Sequence, residues 1–421
     1  MTDVRRPART LPWTALVLGL GIVMLASSLR AGVTSIGVLL PELREGLGMD
    51  ATTVSLLTSL PVWCFAVVGL GAGAVIMRLG VHRVTVLLLT AIVVGLLARA
   101  VTDSAWGFLL ATTVAMFGAA LGNVVLPPLT RQHFPNRVPL VSALYGGTLL
   151  TGAAVAAGTS APIADAFDSW RVALATWSLL ALVGLAVWLP TAIAERPPRH
   201  ERRAARTRAT ISLARVARTR VAWALALLFG AQSSQAYAQF GYWSDIFSDA
   251  GVDATRAGAI LGVTIAVGIP ITLSLPVLMR YAGTSVAVPI SFAAITAAGW
   301  LGVATAPLFL GGWLWGLLLG TGGSAFTWCL ALIGLRARTP QGSAQLSSFA
   351  QGTGYLLAAT ATFSVGLLHD ATDTWGVPIG MLIVLTGVMA VAGSVAIRSA
   401  PIEEELAAQA DQDVSGSSVR R

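Results

Sequence analysis

ERPPRHERRAARTRATISLARVARTR, residues 195–220, is the longest polar break in a chain otherwise made of apolar runs. On each side of it the sequence reads as six apolar segments of roughly 20 residues, the length of a helix that crosses a bilayer core. The first set runs over about 13–38, 53–77, 84–102, 105–127, 139–163 and 171–193. The second runs over about 221–246, 255–279, 285–305, 308–335, 345–368 and 376–398. Lipid offers backbone N–H and C=O groups no partners, so helices are expected throughout. The expectation is an all-α polytopic membrane protein of two six-helix bundles. They would cover residues 1–194 and 221–400, joined by a basic linker over 195–220. The polar residues 401–421 read as a disordered tail.

Composition agrees. Of 421 residues, 55% are hydrophobic and 11% charged, where a soluble domain carries about 25% charged. Mean hydropathy is +0.77. The net charge of +8 does not point to nucleic acid, because the arginines sit in short loops between apolar runs. The linker is read as lying on anionic headgroups. One set of loops holds Arg5, Arg6, Arg9, Arg78, Arg83, Arg131, Arg137, Arg280, Arg336, Arg338 and Arg398, together with the linker. The other holds Arg44, Arg171 and Arg256 among acids such as Glu42, Asp103, Asp165, Asp245 and Asp253. The positive-inside rule then puts both termini in the cytoplasm, across the plasma (inner) membrane.

Chemistry-bearing clusters are absent from the pattern. Cys64 and Cys329 lie inside apolar runs, with no Cys/His grouping, so no metal or cofactor is expected. No P-loop, HExxH or GxSxG occurs, which argues against an enzyme. No Asp or Glu falls well inside a span, and Asp245 at the end of span 7 is the nearest carboxylate. A proton relay is therefore not visible.

One charge does sit inside a span. Arg30, in MLASSLRAGVTSIGVLLPEL (residues 24–43), has no Lys, Asp or Glu from Leu11 to Pro41 to neutralise it. An arginine near a helix centre costs roughly 2.5–3.5 kcal/mol on insertion scales. A wet central cavity removes most of that cost and turns the planar donor fork toward an anion. The alternatives are a side chain snorkelling to the headgroups, or one holding carbonyls of a neighbouring helix. Arg99, at the end of span 3, reads as a snorkelling residue.

Other polar residues follow by spacing. Gln232, Gln235 and Gln239 in GAQSSQAYAQFGYW fall at i, i+3 and i+7, which places three amides on one helix face. They line either protein or water, as cavity groups or as glue between helices. Tyr237 adds an aromatic surface. Gln351 and Tyr355 are one turn apart in span 11, and Asn123 lies among small residues of span 4.

Several stretches carry a resemblance. GAVIMRLGVHR, from Gly73, is similar to the loop of the major facilitator superfamily between helices 2 and 3, through Gly73, Arg78, Gly80 and Arg83. Met77 stands where that pattern has Asp. LRAGVTSIGVLLPELREGLGM, GNVVLPPLTRQHFP, DSWRVALATW, GAQSSQAYAQFGYW and AQLSSFAQGTGYLLAA, in this order, resemble the cyanate and 2-nitroimidazole transporter branch. The resemblance implies twelve helices as 6+6 pseudo-symmetric bundles and a single-chain permease for a small solute. It implies cavity positions at Arg30, Asn123, Gln232, Tyr237, Gln351 and Tyr355, with Gln235 added from spacing, and a gating loop at Gly73, Arg78, Gly80 and Arg83. Expected partners are a small solute and the bilayer, with no nucleic acid and a monomeric chain. Drug-type efflux and a non-transporting sensor are the other readings.

Overall fold

The computed structural model describes residues 12–134, 137–194, 212–282 and 285–409. All the expected passes are helical. The first half contains α1 (Pro12–Val38), a short α2 (Leu40–Leu47), α3 (Ala51–Leu79), α4 (Val81–Val101), α5 (Ala105–His133) and α6 (Val138–Phe167). Its sixth pass is α7 (Trp170–Thr176) followed by α8 (Ser178–Ala194). After the one-turn α9 (Leu213–Val216), the second half has α10 (Arg220–Asp249), α11 (Ala254–Ala282) and α12 (Ala287–Thr305). Its fourth pass divides at Ser324 into α13 (Trp313–Gly323) and α14 (Ala325–Leu335), before α15 (Pro340–Thr372) and α16 (Gly376–Arg398). No strand occurs among the described residues.

Local chemistry sets the helix ends. Asp50, Ser104 and Thr339 accept from the N–H groups of Thr53, Gly107 and Gly342, capping α3, α5 and α15. Gly80 turns α3 into α4 with φ 87°, a conformation that L side chains rarely adopt, and its N–H closes on the Ile76 carbonyl at 2.8 Å. Arg78 and Arg83 are exposed on either side of it.

The surface is that of a protein embedded in lipid. Large apolar side chains such as Leu110 (68% exposed), Val384 (68%) and Val391 (66%) stand outward, and water would not tolerate so broad an apolar belt. Nine helical segments among the described residues are long and apolar enough to span a membrane. α6, α10 and α15 are not among them. Those helices place Gly, Ser, Thr and Gln at the seam between halves, where protein replaces lipid. α10 is buried along most of its length.

The seam is closed on the face that carries α2. There the Thr58 and Tyr242 hydroxyls bond at 2.7 Å, and Thr255 donates to Asp165 at 3.0 Å. A Cβ on Gly37 of α1 would lie 1.6 Å from the Phe240 carbonyl oxygen of α10, so only glycine permits this approach.

The chain end differs from expectation. Residues 402–409 are helical rather than disordered. Ile402 and Leu406 are buried. Glu405 accepts from the N–H groups of Arg220 (2.7 Å) and Val221 (3.2 Å), capping α10. Glu403 accepts from the N–H groups of Arg338 (3.0 Å) and Thr339 (2.9 Å) at the start of α15. Two carboxylates thus sit on two helix N-termini, where the helix dipole favours negative charge. The expected linker is likewise structured from residue 212, with Val216 and Thr219 buried. Residues 195–211 and 410–421 lie outside the described residues.

This contact should respond to pH. Burial pushes the Glu403 carboxyl up, but hydrogen bonds from Arg338 and Thr339 outweigh it and hold the group below its ordinary value. Its contribution is complete above the unfolded carboxylate pKa, about 4.3, and disappears as pH falls through the lower folded value. Amide protection factors over 402–409, with the intrinsic exchange rate divided out, should fall on acidification below about pH 4, and Glu403→Gln should lower them at neutral pH.

Candidate functional site

Between the halves lies a cavity with an empty volume of about 740 Å³, its opening included. Helices α1, α6, α10, α11, α13 and α14 form its wall. Arg30 of α1 lines it and is 7% exposed. The chain places that charge here because α1 packs along the seam against α6 and α10, and the adjacent Gly32 and Gly37 permit close neighbours. Nη1 donates to the Tyr237 hydroxyl at 3.4 Å, and Nε finds no partner within the protein. Four rings surround the guanidinium, with Cζ 5.6 Å from the centroid of Tyr237, 5.7 Å from Phe326, and 5.9 Å from Phe65 and Phe240. These are cation–π distances. The collar stabilises the buried charge without neutralising it.

The amides separate. Gln232 and Gln239 line the cavity. Gln232 donates to the Gly323 carbonyl at 3.1 Å, which fixes the amide and leaves its Oε1 as an unpartnered buried acceptor. Gln235 turns away. It donates to the Leu382 carbonyl at 2.9 Å and accepts from Trp300 Nε1 at 2.6 Å, tying α10 to α16 and α12. At about 100° per residue, position 239 lies some 20° from 232 and position 235 some 60°, which carries Gln235 past the cavity edge. Gln235→Leu should lower the unfolding temperature, consistent with the roughly 1–3 kcal/mol lost when a buried donor is orphaned. It should leave solute affinity within about twofold, read by thermal denaturation beside a binding isotherm.

The remaining expected positions take different places. Tyr355 stacks on Phe65 (centroids 5.3 Å apart) and meets Phe229 edge-on (4.8 Å), so it supports the collar from behind. Gln351 donates to Ser347 at 2.6 Å along its own helix. Asn123 reaches only the Ala119 carbonyl, at 3.4 Å. Neither Gln351, Asn123 nor Tyr355 is on the cavity wall. Gly73 and Arg78 belong to α3, Gly80 to the turn and Arg83 to α4, and Arg78, Gly80 and Arg83 are not on the cavity wall.

Arg99 corrects the snorkelling expectation. It is fully buried, and it donates to the Gly32 carbonyl at 2.9 Å and to Ser35 Oγ at 3.3 Å. The Arg99 side chain crosses from α4 to α1 and takes its acceptors there. Asp245 is partly exposed near the end of α10, under the charges of Arg44, Asp249 and Glu42. It does not line the cavity. Burial pushes the Glu42 carboxyl up.

Phe65, Phe240 and Phe326 were not singled out by sequence, since a phenylalanine in an apolar run carries no signal. Thr264, Gly268 and Thr272 also line the cavity, and so do Gly320, Ser324 and Thr327. Their i, i+4, i+8 and i, i+4, i+7 spacings are a signal that was there to be read.

Comparison with known proteins agrees with this architecture. The chain is 31% identical over 395 residues to the 2-nitroimidazole transporter of Escherichia coli (strain K12), covering 92% of this chain and 97% of that protein. It is 26% identical over 356 residues to the cyanate transport protein CynX of the same organism, covering 84% and 90%. The crystal structure of a D-xylose-proton symporter superposes with a TM-score of 0.71 at 14% identity, over 92% of this chain and 97% of that one, a likeness of fold alone. The family model described as Major Facilitator Superfamily matches residues 16–362, and the chain belongs to that superfamily of membrane transporters.

Proposed function

We propose that this transporter carries a small anionic or nitro-bearing solute, bound between the halves and released by alternating access. The observation that carries the reading is Arg30, a buried cation facing the cavity inside an aromatic collar, with Nε unpartnered and no carboxylate on the cavity wall among the described residues. A guanidinium fork suits delocalised oxygen charge, as in a carboxylate or a nitro group. Tyr237 and the Gln232 acceptor orient the solute. Relatives named for 2-nitroimidazole and cyanate support the class.

On the positive-inside rule the Arg-rich loops favour cytoplasmic termini, and on that reading the closed α2 face is the outer one. The α3–α4 turn with Arg78 and Arg83 then belongs to the inner gate. Among the described residues the cavity wall carries no Asp, Glu or His, which favours flux down the solute gradient or exchange over a proton relay through the site.

The test is flux of labelled 2-nitroimidazole, cyanate and benzoate in proteoliposomes, with and without a pH gradient, against empty vesicles and Arg30→Ala. Arg30-dependent flux of at least one solute is expected. A carrier that moves them all at parental rate without Arg30 refutes the site.

A further inference from the structure

Two of the chain's four histidines meet where α3 turns into α4, off the cavity wall. His82 lies in the first turn of α4 and is 2% exposed. His133 is the last residue of α5 and is half-buried, and Gln132 beside it is exposed. Helix α4 packs against both α5 and α8. That packing sets the two Nε2 atoms 3.2 Å apart and the Gln132 side-chain nitrogen 3.4 Å from His82 Nε2. The buried Trp188 of α8 covers the pair on one side, its ring 5.4 Å from His82 and 5.9 Å from His133. The other side, at Gln132 and His133, is reached by solvent.

A hydrogen bond between neutral imidazoles would use one Nε2–H and one Nε2 lone pair. N–H donors prefer about 2.7–3.2 Å, so one separation lies at the upper limit and the other beyond it. Ligand atoms held at about 2.0–2.1 Å by a tetrahedral cation stand about 3.3–3.4 Å from each other. Both separations fall within about 0.2 Å of that edge, the tolerance expected of a real site. A half-turn of the Gln132 amide exchanges its nitrogen for its oxygen and supplies a third donor. Imidazole nitrogens with an amide oxygen suit Zn²⁺, Ni²⁺ or Cu²⁺, whereas Mg²⁺ takes oxygen ligands. Among the described residues no three His, Cys, Asp or Glu side chains cluster, so water completes the shell and the ion exchanges. Electrostatics oppose the ion only weakly. The C-terminus of α5 favours a cation and the N-terminus of α4 disfavours one. Arg78 and Arg83 are exposed, where salt screens their repulsion.

We propose that His82, His133 and Gln132 form a binding site for a late first-row divalent cation of the Zn²⁺ type. The ion ties the first turn of α4 to the last turn of α5, and so fixes α4 directly after the Gly80 turn. Both imidazoles bind it in the neutral form, so protons compete with the metal. The site needs neither Arg30 nor the anion reading of the cavity.

The experiment titrates Zn²⁺ into the purified full chain, free of any affinity tag, by calorimetry at neutral pH. A single Zn²⁺ per chain should bind and should raise the unfolding temperature, because the ion binds the folded pair. Mg²⁺ should do neither. His133→Ala, at the accessible end of α5, should weaken Zn²⁺ binding by at least about tenfold, since losing even an outer-shell partner of a metal costs that much. His82→Gln should do the same. His369→Ala, which removes a histidine near the end of α15, should leave binding unchanged. Co²⁺ in place of Zn²⁺ should give visible absorption bands in the parent that are missing from His133→Ala, a signature that altered packing does not produce. A parent that binds no Zn²⁺, or a His133→Ala variant that binds it as tightly as the parent, overturns the site and leaves a hydrogen-bonded imidazole pair.

Discussion

Arg30→Ala should weaken binding of the transported anion by roughly 30-fold to several thousand-fold, the range that follows from losing one partner of a buried charge pair at about 2–5 kcal/mol. The same substitution should not harm folding. Within the protein Arg30 makes a 3.4 Å bond to Tyr237 and leaves Nε unpartnered, and replacing it removes a buried charge that costs free energy to hold. Unfolding temperature should therefore stay level or rise. Arg30→Lys keeps the charge but loses the planar fork, so affinity should fall between the two. Arg99 provides the contrast. It is fully buried and bonded to Gly32 and Ser35 of α1, so Arg99→Ala should lower stability at unaltered affinity in the surviving folded fraction. Binding isotherms and thermal unfolding of the two variants side by side separate a site arginine from a structural one. If Arg30→Ala unfolds the protein and Arg99→Ala abolishes binding, the roles assigned here are reversed.

Gly37→Leu should stop translocation while leaving one-sided binding intact. A Cβ at position 37 would stand 1.6 Å from the Phe240 carbonyl oxygen, against the 3.0 Å below which real Cβ contacts essentially never fall. The missing 1.4 Å must come from separating α1 and α10, because a backbone carbonyl in a helix cannot swing aside and packed interiors do not compress. The α2 face would then be held open. Turnover should drop by more than about tenfold, since a barrier of little more than 1.4 kcal/mol suffices for that. Thr58→Cys, behind the Thr58–Tyr242 contact, should react with an impermeant thiol reagent faster in the Gly37→Leu background than in the parent, which exposes it only in the part of the cycle when the α2 face is open. Parental turnover in Gly37→Leu would show that the approach of α1 to α10 is not part of the cycle.

Much of this architecture was legible in the linear chain. Twelve apolar runs, a basic break after the sixth and the loop charge bias follow from what lipid and membrane potential allow, and neither depends on which helix touches which. The same holds for the expectation that Arg30 avoids lipid. The site was legible only in part. Spacing put Gln232, Gln235 and Gln239 on one face, and a deviation of some 60° was enough to send Gln235 into a helix joint with Trp300 and Leu382. Arg99 read as an outer-surface residue because sequence does not say that its side chain reaches the Gly32 carbonyl of α1. Residues 402–409 looked like a polar tail because their partners, the N-termini of α10 and α15, are about 60 to 185 positions away.

The sequence by itself determined that this chain crosses a membrane as two sets of helices and conceals a permanent positive charge, since hydrophobic length and the cost of burying charge act locally along the chain. The tertiary structure alone decided which polar groups meet: the four rings around Arg30, the His82–His133 pair, and the glycine contact that closes the α2 face. Those are distances between helices. They depend on crossing geometry and on the few tenths of an ångström by which packed side chains fit, quantities that no periodicity in a single sequence encodes.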